Sequence, residues 1–133
     1  MSETFADTFH LLALFNPDDA SHAKAVKAAK DFQGVLVTTD WILTEFADAL
    51  SDPANRAECI RMVDDLRRSS SVIIVPASRE LFETGWVLYR ERPDKGWSLT
   101  DCMSFVVMKQ RNIRKALTGD RHFKQAGFEA LLK

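Results

Sequence analysis

Four carboxylates, Asp7, Glu45, Asp101 and Asp120, stand out because each interrupts or closes an apolar stretch. Taken singly they are ordinary: an aspartate before a helix is a cap, a glutamate on a helix is a surface acid, and an aspartate after glycine is a turn residue. Brought together they would repel, so they must either protonate or share a cation. An all-oxygen donor set suits a hard divalent ion, Mg2+ or Mn2+. Such an ion polarises a phosphate oxygen and acidifies water, which is the chemistry of phosphodiester hydrolysis. The other candidates are weaker. His10, His22 and His122 are scattered along the chain and are not read as ligands, and Trp41, Trp86 and Trp97 read as core or rim residues rather than base-stacking platforms. Cys59 and Cys102 sit in apolar helical patterns without CxxC spacing, so both are expected to be buried free thiols.

The elements that must position these acids alternate between short apolar runs and longer helical patterns. Thr4 to Ala6 reads as a first strand with Asp7 at its exit, followed by an apolar helix from Thr8 to Phe15 that stops at Asn16-Pro17. A helix from about Asp19 to Phe32 alternates Ala23, Val26 and Ala29 with Lys24, Lys27 and Lys30. Val35 to Thr38 is a second strand, and the helix after it carries Glu45 among Trp41, Ile42, Phe46 and Leu50. Pro53 opens a helix running to Arg68 that is expected to bury Cys59, Ile60, Val63 and Leu66. Val72 to Val75 is β-branched throughout and reads as a parallel strand covered on both faces. Ser78 caps the next helix, Pro93-Asp94-Lys95-Gly96 breaks it, and Asp101 falls in the first turn of a largely apolar helix from Thr100 to Gln110. Ala116 to Thr118 is a fourth strand delivering Asp120, and Glu129 to Leu132 a last short one.

This order implies an α/β fold: a three-layer α/β/α arrangement around a central, mostly parallel sheet of four to five strands, formed as a single domain over residues 1–133. Ligands of such sheets bind outside the carboxyl ends of the strands, where Asp7 and Asp120 emerge. The chain is 46% apolar and 28% charged, the balance of a globular protein, and no run reaches the ~20 apolar residues of a membrane span. With no basic-then-apolar leader pattern at its start, it is expected to be cytoplasmic. Charge is unevenly placed. Residues 1–50 hold eight acids against three lysines, whereas Lys109, Arg111, Arg114, Lys115, Arg121 and Lys124 surround the single acid Asp120. Such cations suit a phosphate chain, and Arg121, Lys124 and Lys95 flank two of the acids.

The motifs Ala6-Asp7-Thr8-Phe9, Thr44-Glu45, Leu99-Thr100-Asp101-Cys102 and Leu117-Thr118-Gly119-Asp120-Arg121-His122-Phe123 resemble, in order and spacing, those of PIN domains. The match spans almost the whole chain and is nearest to the VapC-type ribonuclease toxins of type II toxin-antitoxin pairs. The resemblance implies that Asp7, Glu45, Asp101 and Asp120 form a catalytic quartet, with Asp7, Asp101 and Asp120 as metal ligands and Glu45 orienting or deprotonating water. It places Thr8 and Thr118 as small hydroxyl positions beside the quartet, candidate substrate contacts together with Arg121 and Lys124. It further implies an RNA substrate, a small antitoxin partner, a homodimer and cleavage leaving a 5′-phosphate. Phe9 departs from the small residue many relatives carry after the Asp-Thr pair. A housekeeping nuclease of the same fold, without an antitoxin, is the neighbouring alternative, and two other readings fit the acids less well. A catalytically silent module would use the same pocket to receive a basic segment, and a phospho-acceptor receiver domain would need an aspartate where the third strand ends in Val75-Pro76.

Overall fold

The computed structural model describes residues 2–133; Met1 lies outside them. Five strands, β1 (Glu3–Ala6), β2 (Val35–Thr39), β3 (Val72–Val75), β4 (Lys115–Leu117) and β5 (Glu129–Ala130), form one sheet in the order β3-β2-β1-β4-β5. Every pairing is parallel. Seven helices connect the strands: α1 (Thr8–Phe15), α2 (His22–Asp31), α3 (Asp40–Ala49), α4 (Pro53–Arg68), α5 (Arg79–Glu91), α6 (Leu99–Gln110) and α7 (Arg121–Gln125). Parallel neighbours require such crossovers, because a tight turn can only reverse the chain.

The side chains divide into two cores, one on each face of the sheet, as the period-two alternation of strands demands. Phe5, Val37 and Ala116 point into the larger, with Ile42 and Phe46 of α3 and Phe105 and Met108 of α6. Leu36 and Leu117 point into the smaller, with Ala13 of α1 and Ala25 of α2. This is the three-layer arrangement expected from the sequence. Both cysteines are free and buried.

Two expectations need correction. Ile60, read as a core position of α4, is 58% exposed, because α4 lies beside β3 at the margin of the sheet and covers it with only part of its apolar surface. β3 is not enclosed on both faces: it is the edge strand, and all four of its residues are only partly buried. Trp86, on α5, is 40% exposed, a rim position within the expected core-or-rim reading. The short helix α7 is an addition that the strand-like reading of the C-terminal segment did not include.

The chain winds outward from β1 through β2 to β3, then returns across the sheet to place β4 on the other side of β1. That reversal is a topological switch point, and it opens a crevice between the carboxyl ends of β1 and β4. Asp7 follows β1 directly, and its N–H donates to the carbonyl of Leu117, the last residue of β4, at 3.3 Å. The two strands thus deliver their exits side by side.

Candidate active site

Asp7 is the N-cap residue of α1 and is only 5% exposed. Its side chain caps no backbone N–H of the helix; it accepts instead from the Thr118 hydroxyl at 2.8 Å, just beyond β4. The same Thr118 oxygen accepts from the backbone N–H of Asp120 at 3.0 Å, so one buried hydroxyl ties two of the acids together. Burial pushes the Asp7 carboxyl up from 3.8 to about 7, with the nearby Asp101 and Glu45 carboxylates adding to the rise and the Thr118 hydrogen bond opposing it.

Asp120 caps α7, accepting from the N–H of His122 at 2.9 Å. Asp101 is the third residue of α6, in a capping box with Ser98: the Asp101 N–H donates to the Ser98 hydroxyl at 2.9 Å and the Ser98 N–H donates to the Asp101 carboxylate at 3.1 Å. The box fixes the rotamer and leaves the carboxylate facing α7. Burial raises the Asp101 carboxyl above its ordinary range, against the lowering effect of the Ser98 backbone and of His122. Glu45 rides on the exposed side of α3 and accepts a short hydrogen bond from the Thr8 hydroxyl at the start of α1. Thr39 caps α3, and the Thr38 hydroxyl donates to the carbonyl of Ala6 at 2.9 Å, locking the exit of β2 to that of β1.

The fold therefore brings all four predicted acids to one end of the sheet, with Asp7 at the centre of their mutual repulsion. It also brings in a residue that the sequence reading set aside. His122 Nδ1 lies 3.1 Å from Asp101 Oδ2 and 3.4 Å from Asp120 Oδ1. One ligand atom from each of Asp101, Asp120 and His122 falls within 4.8 Å of the others. The only signal in the sequence was its position two residues after Asp120; the proximity to Asp101 is made by the packing of α7 on α6.

Thr8 and Thr118 were expected as substrate contacts, but they are 6% and 0% exposed and their hydroxyls are occupied by Glu45 and Asp7. Both hydroxyls donate to acids of the cluster. Arg121 and Lys124 are exposed on α7 beside the cluster, and Lys95 lies in the loop before α6. Phe9 has a structural use: its ring packs on Gly119, where an added Cβ would lie 2.5 Å from the ring, so the turn carrying Asp120 rests directly on α1.

The donor set fits a hard divalent cation. Several carboxylate oxygens converge, one carboxyl is nearly buried and destabilised as an anion, and no lysine or arginine forms an ion pair with any of the four acids among the described residues. The family model described as PIN domain matches residues 4–129, and the chain belongs to that family. Among its relatives is the 23S rRNA-specific endonuclease VapC20 of Mycobacterium tuberculosis, 27% identical over 124 residues, which are 93% of this chain and 94% of that protein. The crystal structure of M. tuberculosis VapC20, described as a sarcin-ricin loop cleaving toxin, superposes with a TM-score of 0.87 at 28% identity over 96% of each chain. VapBC2 from Rickettsia felis, bound to a DNA fragment from its promoter, has a TM-score of 0.66 at 16% identity over 96% of each chain. FitAcB from Neisseria gonorrhoeae has 0.65 at 14%, over 96% of this chain and 94% of that one. The last two support the fold alone.

Proposed function

We propose that this chain is a divalent-metal-dependent endoribonuclease, the toxin of a toxin-antitoxin pair. The observation that carries the reading is the convergence of Asp7, Glu45, Asp101 and Asp120 at the switch point of a PIN-family sheet. Asp101 and Asp120 with His122, and Asp7 beside them, are the residues that would hold the cation, Mg2+ or Mn2+. When bound, the cation supplies positive charge to the phosphate oxygens and makes water more acidic. The protein's own groups do the rest. Thr118 holds Asp7 in place, and Ser98 holds Asp101, so the negative cradle is preorganised before substrate arrives. Glu45, exposed at the rim, is placed to take a proton from the attacking water, with Thr8 fixing its orientation. Attack on phosphorus with departure of the 3′ oxygen leaves a 5′-phosphate on the downstream product. Arg121 and Lys124 neutralise flanking phosphates.

Similarity to VapC20 makes ribosomal RNA the first substrate to examine, and the sarcin-ricin loop the first site within it. A small antitoxin would cover the acidic crevice, and a homodimer is the assembly we expect in its absence. The test is incubation of the purified protein with ribosomes, with ribosomal RNA and with an unrelated single-stranded RNA, in Mg2+, Mn2+ or EDTA. Metal-dependent cutting that leaves 5′-phosphates and is lost in Asp101→Asn supports the reading; a folded protein that cuts none of them under either metal overturns it.

A further inference from the structure

Beside the acidic crevice lies a second groove that the hydrolytic reading does not use. It runs between the C-terminal half of α5 and the loop entering α6, with a volume of about 780 Å3, and its walls include Trp86, Tyr89, Arg90, Lys95 and Gly96. This is the size range of small-ligand sites, roughly 300–1,000 Å3.

Its chemistry is aromatic and cationic. Trp86 and Tyr89, one turn apart, are 40% and 44% exposed, and their rings stack with centroids 5.5 Å apart and planes 17° apart. Phe82 continues the ladder, 6.3 Å from Trp86 and inclined by only 6°. Leaving two large rings in water costs hydrophobic free energy; Trp86 is the middle ring of the ladder, so the face left open to another flat ring is that of Tyr89 at its end. The floor is rigid. Arg92 is bound bidentately by Asp94, at 2.9 and 3.0 Å, and lies over the Trp97 ring at 5.2 Å; the Trp97 indole N–H donates to Gln125 at 3.1 Å. Asp94 is thereby occupied, while Arg90 is exposed and Lys95 approaches Asp94 only to 4.0 Å.

The groove is continuous with the candidate active site. Gly96 is near enough to His122 that a Cβ there would lie 3.8 Å from Nε2, and Ser98, on the same wall, is the residue that holds Asp101. A polyanion with one phosphate at the acid cluster would have this opening on the Gly96 and Ser98 side of it. Flat rings to stack on and cations to meet phosphate are the two features by which single-stranded nucleic acid is held.

We propose that this groove binds an unpaired nucleotide of the RNA substrate next to the scissile phosphate, its base stacked on Tyr89 at the end of the ladder that Trp86 supports and its backbone met by Arg90 and Lys95. The proposal rests on the ribonuclease reading and deepens it, since it locates where the enzyme tells one RNA segment from another. Base stacking tolerates any base but requires an unstacked one, so the groove selects loops and single strands over duplex.

The test measures affinity and cleavage separately. Binding of a fluorescein-labelled single-stranded RNA, the same probe whether or not the wild type cleaves it, is measured in EDTA, where affinity is read without turnover, for the wild type and for Trp86→Ala/Tyr89→Ala, Trp86→Phe and Arg90→Ala. Folding and solution mass are checked by circular dichroism and light scattering. The double variant is expected to bind about tenfold or more weakly, Trp86→Phe to stay close to wild type, and Arg90→Ala to lose affinity with a shallower salt dependence. Unchanged affinity in a folded double variant, with wild-type cleavage intact, overturns this inference and leaves the nuclease reading standing. A wild-type dimer that becomes a monomer in the double variant also overturns it, by assigning the rings to a contact between copies. RNA binding that depends on the rings, in a protein that cuts nothing with Mg2+ or Mn2+, supports the groove and overturns the nuclease reading alone.

Discussion

Asp7→Asn should stabilise the metal-free protein above neutral pH while abolishing its response to metal. The carboxyl is 5% exposed and is pushed from 3.8 to about 7, chiefly by burial. Between those values the folded state holds a proton that the unfolded chain has released, so stability falls as pH rises through that window and levels off above it. Each pKa unit is worth about 1.4 kcal/mol, which puts the full effect at roughly 4 kcal/mol above pH 7. Relaxation around the charge lowers the realised figure to about 1–3 kcal/mol. Asparagine imitates the protonated acid, and its carbonyl can still accept from the Thr118 hydroxyl that now meets Asp7 at 2.8 Å. The assay is urea unfolding in EDTA across pH 4 to 8. The variant should be the more stable protein at pH 8, and the difference should close as pH falls toward 4. Excess Mg2+ should then stabilise the wild type and leave the variant unmoved, because a cation binds the anionic form. A variant less stable than wild type at pH 8 in EDTA, or one with the same pH slope, would refute the claim that Asp7 is held as a strained anion.

Thr118→Val removes the only side-chain donor that meets Asp7 among the described residues; Mn2+ affinity by titration calorimetry should fall about tenfold, with a loss of about 1–3 kcal/mol in urea unfolding from the buried groups left unpaired. Gly85→Ala places a Cβ 2.4 Å from Met103 Cγ where α5 crosses α6, and should lower stability by about 1–3 kcal/mol and the melting temperature by several degrees. Arg111→Ala breaks a bidentate pair with Glu3 at the opposite end of the sheet, and since both groups are partly in water the change in stability should stay within about 1 kcal/mol. His122→Ala should weaken Mn2+ binding as read by calorimetry while leaving the unfolding midpoint in EDTA close to wild type; equal metal affinity would restrict the cation's holders to the carboxylates.

Much of the fold was legible because its signals are local. The runs Val35 to Thr38 and Val72 to Val75 carry strand propensity in their own residues, and Pro53 and Ser78 mark helix starts, the first by its fixed backbone angle and the second by its capping hydroxyl. What failed concerns each element's neighbours. A β-branched run looks the same at the edge of a sheet as at its centre, and β3 lies at the edge. Ile60 sits at a helical core spacing, yet the sheet beneath α4 ends before it is covered.

The site divides along the same line. Asp7, Asp101 and Asp120 were readable because each occupies a place where the chain leaves a strand or enters a helix, and an α/β sheet gathers such places at one edge. Glu45 was readable only through the motif order, since a glutamate on an exposed helical face is otherwise unremarkable. The roles of His122, Thr8 and Thr118 were not readable, because each depends on a partner far along the chain: 21 residues for His122 to Asp101, 37 for Thr8 to Glu45 and 111 for Thr118 to Asp7. The contrast explains why a PIN sheet tolerates the 27% identity seen with VapC20. Acids at strand exits are positioned by topology, which many sequences satisfy. The hydroxyls and the histidine are positioned by packing, so substitutions there should tune metal affinity while the sheet still delivers the carboxylates to the same crevice.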